Sequence, residues 1–200
     1  MPWSRPWERW KVVTSHVVRR LNQDPDGPWG DQIVMPDQKS YSRSEQTENP
    51  ELRHQRTARA TSFMTALKPI ENYFHQIQPG RMTLEDRAKG LFGVIDGYWA
   101  AIRNLNPDCF QNADDFVMLK TPGIFSLHQL CLSLMKDMYV GRREWVEEEF
   151  EHMLEPCTEI SNPSFWSVGT DEGDRGDAAR YGSMKGFKEL GDLLYESLHG

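Results

Sequence analysis

The chain has 200 residues, with 23 Lys/Arg against 30 Asp/Glu and a formal net charge of −7, and 38% of its residues are hydrophobic. This apolar content, with seven tryptophans, excludes a disordered chain, and the length suits one compact domain. The negative charge argues against indiscriminate coating of nucleic acid or of anionic membranes.

The first predicted element is a helix near the start of the sequence. Its apolar side chains recur every three or four residues, at Trp7, Trp10, Val13, Val17 and Leu21. The stretch NQDPDGPWG at 22–30 then ends it, because its prolines and glycines disfavour a continuing helix. Residues 37–57 are polar and nearly free of aliphatic side chains, so we expect a mobile loop there.

Two helices follow this loop. Helical spacing resumes over residues 58–77, although Pro69 is expected to kink or divide the segment. Thr83 followed by Asp86 matches a capping box, so a second helix should run from residue 84 to about residue 104.

The helix over 84–104 has one bulky side and one slim side when it is projected at about 100° per residue. Its slim side, here called the small-residue flank, consists of Gly90, Gly93, Gly97, Ala100 and Ala101. A solvent-facing helix would carry charges there, so these residues are predicted to let a neighbour approach the backbone. Another helix of the same chain, a partner subunit, and a ligand or nucleic acid are the alternatives. We predict a partner-binding surface at this flank.

The rest of the chain is also predicted to be helical. A short helix is expected within residues 108–118, and Thr121 is expected to cap a helix that starts with Pro122 and ends near Gly141. An acidic amphipathic helix over 143–154, with Val146 inward, a loop over 161–176 and a final helix over 184–198 complete the chain. The predicted fold is mainly α: a single compact domain over 1–200, formed by a bundle of six to seven helices with long polar loops.

Chemical signatures are sparse. Phosphate-loop, dinucleotide-binding, zinc-protease and serine-hydrolase motifs are missing from the sequence, so we predict no cofactor, no metal site and no catalytic residue, and we lean against an enzyme. His128 and Cys131 share an apolar helix face and are interpreted as packing residues. The three widely spaced cysteines, with no signal peptide or membrane span, predict a cytoplasmic protein with reduced thiols and no membrane contact.

A few basic residues could contact DNA. Arg53, Arg56 and Arg59 lie within seven residues of one another and could clamp phosphates. Lys120 precedes a predicted helix N-terminus, which attracts anions. These four residues are the predicted DNA-binding set, with an ordinary solvated segment and a simple helix cap as the alternatives.

Five segments stand out together along the chain, and they are WERWKVVTSHVVRRLNQDPDGPW, TSFMTALKPI, VIDGYWAAIRNLNP, VMLKTPGIFSLHQL and YGSMKGFKELGDLL. In this order they resemble the C-terminal half of DGQHR-domain proteins. The family includes bacterial proteins encoded beside DNA phosphorothioation and other DNA-modification or phage-defence genes, and one branch is similar to a transcriptional regulator. The namesake signature is absent, since Asp96 and Gly97 are followed by Tyr98 and Trp99.

The resemblance implies a non-catalytic helical module that acts by protein contact, either with a partner protein or as a homo-oligomer, with DNA binding or transcriptional regulation as a further role. Two alternatives stand beside it. One is a subunit of a nucleotide-hydrolysing or DNA-processing assembly whose catalytic half is a separate chain. The other is a self-associating structural protein.

Overall fold

The computed structural model describes residues 8–36, 58–78, 80, 82–169 and 174–199. The architecture is mainly α, as predicted, and six of the helices have seven or more residues. The elements in chain order are α1 (Arg9–Gln23), β1 (Ile33–Val34), β2 (Ala58–Arg59), α2 (Ala60–Ile77), α3 (Leu84–Leu105), α4 (Pro107–Gln111), α5 (Thr121–Val140), α6 (Glu147–Leu154), α7 (Thr158–Ser161), α8 (Pro163–Trp166) and α9 (Met184–Ser197).

The first half of the fold follows local sequence signals. α1 buries Val13, Val17 and Leu21 of the predicted apolar stripe, while Trp10 is half-buried and Trp7 lies outside the described residues. α2 continues through Pro69 as one helix, so the expected division there does not occur. The N-cap predicted at Thr83 is confirmed, because its hydroxyl accepts a hydrogen bond from the backbone N–H of Asp86 at 3.1 Å, and the Asp86 carboxylate in turn accepts one from that hydroxyl at 2.7 Å.

A two-stranded parallel ladder was not predicted. Ile33 of β1 pairs with Ala58 of β2, and each strand has only two residues, which is too short to show an alternating pattern. The predicted mobile loop at 37–57 lies outside the described residues.

The second half of the fold departs from the predictions in three places. Lys120, not Thr121, is the N-cap of α5, and it makes no side-chain capping bond. The acidic helix α6 begins at Glu147, so residues 143–146 are not helical, and Val146 is 39% exposed rather than inward. The predicted loop over 161–176 contains the short helix α8, whose Trp166 is fully buried. The indole N–H of Trp166 is satisfied there, because it donates to the carbonyl of Glu159 at 2.8 Å.

The centre of the core is an aromatic cluster drawn from distant parts of the chain. Trp29, which lies in the turn after α1, packs edge-on against Phe63 of α2 and Trp99 of α3, each at a centroid distance of 4.8 Å. His128 of α5 packs against Phe63 at 4.9 Å. This cluster ties α1, α2, α3 and α5 together, while α6 packs on α3 and α9 packs on α5.

None of the helices within the described residues combines the length and apolar character that crossing a bilayer requires.

Candidate functional site

The glycines of the small-residue flank have different surroundings. A Cβ atom at Gly90 would come within 2.9 Å of the Phe74 ring, and one at Gly97 would lie 3.1 Å from the backbone nitrogen of Glu147, where α6 begins. A Cβ atom at Gly93 would have no described heavy atom within 4 Å. Contacts within the chain therefore explain why Gly90 and Gly97 are small, but no described contact explains Gly93.

The two alanines of the flank belong to the interior. Ala100 is 6% exposed and Ala101 is fully buried, so packing within the chain accounts for their small size. Of the five residues predicted to bind a partner, Gly93 is the one that stays exposed along α3 without an intramolecular reason for being small.

Charged residues of α1 and α6 contact α3 beside the flank. Arg20 of α1 stacks its guanidinium 4.2 Å from the Phe92 ring centroid. Toward the C-terminal end of α3, the Asn104 amide donates to the carboxylates of Glu147 and Glu151, each at 2.9 Å. The flank thus lies between α1, with four Lys/Arg and no Asp/Glu within Arg9–Gln23, and the acidic α6.

Asp96 lies on the side of α3 that carries the small-residue flank, and its surroundings shift the pKa of its carboxyl group. Burial raises the pKa of its carboxyl group, and the nearby Asp24 adds to the increase, while Arg103 and Arg20 oppose it. Its Oδ1 is buried without a hydrogen-bond partner among the described residues.

The four predicted DNA-binding residues do not form a shared site within the described structure. Arg53 and Arg56 lie outside the described residues, and Arg59 is exposed at the end of β2. The ammonium group of Lys120 donates to the carbonyl of Asp114 at 2.6 Å, and burial lowers its pKa although Asp114 and Asp115 oppose the shift. Lys120 is thus committed to a contact within the chain.

A buried ion pair between α2 and α3 was not predicted. Glu71 and Arg87 form a direct hydrogen-bonded salt bridge, with side chains 1% and 7% exposed. Burial lowers the pKa of the Arg87 guanidinium, and the positive charge of Arg9 contributes to the change. The sequence carried one signal of this pair, since Glu71 falls within the apolar stripe of α2 between Leu67 and Phe74.

His128 is held by a hydrogen bond across the core. The indole N–H of Trp99 donates to Nε2 of His128 at 3.1 Å. Because an indole nitrogen only donates, Nε2 must be unprotonated and the neutral ring carries its proton on Nδ1. Burial lowers the pKa of His128 to about 3, which keeps the ring neutral at physiological pH. Nδ1 has no hydrogen-bond partner among the described residues.

The cysteines behave as packing residues, as interpreted for Cys131. All three thiols are buried, and burial raises the pKa of Cys131 and Cys157 and that of Cys109 to about 12. A thiol in this state is a poor nucleophile, because the thiolate is the reactive form. Within the described ranges, no three His, Cys, Asp or Glu side chains are grouped so that they could hold a metal ion.

A pocket of about 300 Å³ opens between α2, α5 and α9. The rings of Phe125 and Phe187, whose centroids are 5.6 Å apart, contribute to its wall. His128 also lines it, and Met184, which is 61% exposed, stands at its edge. The pocket is therefore mostly apolar, with one buried imidazole.

Comparisons of the chain with protein-family models, with curated proteins and with solved structures gave no match.

Proposed function

We propose that this chain is a non-catalytic helical module that acts by protein contact, and that the exposed part of α3 around Gly93 is its contact face. The order of the five segments that resemble DGQHR-domain proteins supports a role beside a DNA-modification or phage-defence system. The packed, neutral state of the described thiols and of His128 is consistent with a binding role.

Gly93 is the single observation that carries the contact face. Glycine in the middle of a helix is less stable than alanine by about 0.5–1 kcal/mol. Gly90 and Gly97 are explained by Phe74 and by the start of α6, but no described atom of the chain comes near the open side of Gly93. A second protein whose backbone approaches α3 closely would account for this glycine.

The partner that the charges favour is a second copy of the same chain. Arg20 of α1 stacks on Phe92 at one edge of the face, and Glu147 of α6, which lies beside Gly97, is at the other. A two-fold axis parallel to α3 would bring the basic edge of each copy opposite the acidic edge of the other. Such an arrangement is self-complementary, as closed dimers require.

The test is the mass of the chain in solution, measured by sedimentation velocity over a range of micromolar concentrations. We expect the native chain to dimerise and Gly93→Gln to remain monomeric, because the added side chain would keep the two α3 helices apart. Space around Gly93 is open in the monomer, so Gly93→Gln should keep the native helical circular dichroism.

Gly182→Gln is the matched control. A Cβ atom at Gly182 would also meet no described atom within 4 Å, but Gly182 lies before α9 and away from the face. We expect this variant to dimerise like the native chain. A native chain that is monomeric throughout, or a Gly93→Gln variant that dimerises normally, would overturn the proposal.

A further inference from the structure

A further pocket lies where the short helices α7 and α8 meet α9. Its volume is about 430 Å³, which falls within the range of natural small-molecule sites. Its lining comes from α7, from α8, from the single turn Asp177–Arg180 with Tyr181 after it, and from α9. Because α7 packs against both α8 and α9, the contacts between these elements shape the pocket.

Glu159 of α7 is half-buried and places a carboxylate in the wall of this pocket. Its Oε2 accepts hydrogen bonds from the Cys157 thiol at 3.5 Å and from the Thr158 hydroxyl at 3.4 Å. The Cys157 sulfur also lies 3.3 Å from Oγ of Ser197, a lining residue on α9, so these contacts hold the carboxylate between α7 and α9. Its Oε1 has no hydrogen-bond partner among the described residues and is not one of their buried unpartnered atoms, so it remains accessible to a ligand.

The charge of Glu159 is not balanced within the described part of the chain. No basic side chain there forms an ion pair with Glu159. Arg180 is the one cationic residue that lines the pocket, and it is paired with Asp177 at 3.0 Å. Since Asp177 also lines the pocket, the lining carries a net negative charge, which favours a cation over an anion.

The rest of the lining suits an apolar group attached to that cation. Phe165 of α8 and Tyr181 supply aromatic surface, and Leu193 of α9 supplies aliphatic surface. Aromatic rings attract organic cations in addition to making apolar contacts. The Ser197 hydroxyl donates to the carbonyl of Leu194 at 3.0 Å, and its oxygen can still accept a hydrogen bond.

From this arrangement we propose that the pocket binds a small primary ammonium ion with an apolar body. The charged nitrogen donates to Oε1 of Glu159, and the apolar part packs on Phe165 and Tyr181. An uncharged analogue lacks the charge-assisted hydrogen bond, and an anion meets a lining of its own sign. This site is separate from the α3 contact face proposed above and does not depend on it.

The first test compares three probes that share a phenylalkyl body: the phenethylammonium ion, 2-phenylethanol and 3-phenylpropionate. In NMR titrations of the full chain at neutral pH and low salt, we expect phenethylammonium to bind about three- to tenfold more tightly than 2-phenylethanol, as one charge-assisted bond at a partly exposed site provides. This preference should shrink as salt is added, and 3-phenylpropionate should bind most weakly. Equal affinities for the ammonium ion and the alcohol, or tighter binding of the carboxylate, would overturn the proposal.

The second test removes the charge of Glu159 and keeps its size. Glu159→Gln should lower the affinity for phenethylammonium to that for 2-phenylethanol, while the affinity for the alcohol stays the same. Glu155→Gln is the matched control, because Glu155 is exposed just after α6 and does not line the pocket. An ammonium preference that survives Glu159→Gln, or that is lost equally in the control, would show that Glu159 does not bind the cation.

A third variant tests the charge balance without changing Glu159. Asp177→Asn releases Arg180 from its ion pair, so it should weaken the binding of phenethylammonium and strengthen that of 3-phenylpropionate. Affinities that change for neither probe would mean that the charges of this pocket do not select its ligand.

Discussion

The indole N–H of Trp99 and Nε2 of His128 are joined by a 3.1 Å hydrogen bond in the interior of the helical bundle. The bond links α3 to α5 and fixes the protonation state of the imidazole. The folded protein therefore holds the imidazole of His128 in its neutral form. Its titration should therefore be visible in the stability of the protein.

We predict that the free energy of unfolding falls as the pH is lowered from about 6.5 toward 3, with His128 contributing up to about 1.4 kcal/mol per pH unit. The sign follows from the lowered pKa: in this window the unfolded chain binds a proton at His128 and the folded chain does not. Urea unfolding of the native chain and of His128→Phe at a series of pH values measures the effect. The variant should show a shallower decline with acid.

Exposed His75 provides the control for this titration. The same measurement on His75→Gln, which removes an imidazole from the surface of α2, is the comparison for His128→Phe. An unchanged slope in His128→Phe would mean that other groups control the acid sensitivity.

The buried pair of Glu71 and Arg87 should make a large, coupled contribution to stability. Glu71→Gln leaves the Arg87 charge buried without its counter-ion, which we expect to cost about 3–5 kcal/mol. The double variant Glu71→Leu with Arg87→Leu removes both charges and should cost much less than the sum of the single changes. Denaturant unfolding of a double-mutant cycle measures the coupling, and additive losses would contradict it.

Elements with strong local signals could be predicted from the sequence, and contacts between distant elements could not. Thr83 and Asp86 lie three residues apart, so the start of α3 was visible in the sequence. The core position of Trp29 was not, because it depends on Phe63 and Trp99 far along the chain. A glycine-rich turn alone does not indicate that its tryptophan is buried.

The same difference between local signals and distant contacts applies to the candidate sites. The periodicity of α3 defined the small-residue flank, but Phe74 and Glu147, which occupy parts of it, belong to other helices. The interpretation of His128 as a packing residue agrees with its burial. Its bond to Trp99 and its place beside a pocket depend on how α3, α5 and α9 pack, which the spacing of residues within one helix does not specify.

Two glycines of α3 should respond differently to alanine. Gly93→Ala should stabilise the monomer by about 0.5–1 kcal/mol, because a Cβ atom there meets no described atom and removes backbone freedom from the unfolded chain. Gly97→Ala should be less stable than Gly93→Ala, since its Cβ atom would lie 3.1 Å from the backbone nitrogen of Glu147. Thermal unfolding at low protein concentration measures both. The reverse order would mean that α6 does not pack against Gly97 in this way.

Lys120 should affect stability rather than DNA affinity. Its ammonium group donates to the carbonyl of Asp114 before α5, so Lys120→Met should leave that carbonyl without this partner and lower the free energy of unfolding by about 0.5–2 kcal/mol. Binding to a labelled DNA duplex, measured at low and high salt, should be the same for the variant as for the native chain, because the engaged ammonium releases few phosphate counterions. Exposed Lys185, paired with Glu189 on α9, offers the matched control, and Lys185→Met should change stability by less. A drop in DNA affinity and in its salt dependence for Lys120→Met alone would instead place the lysine in a phosphate contact.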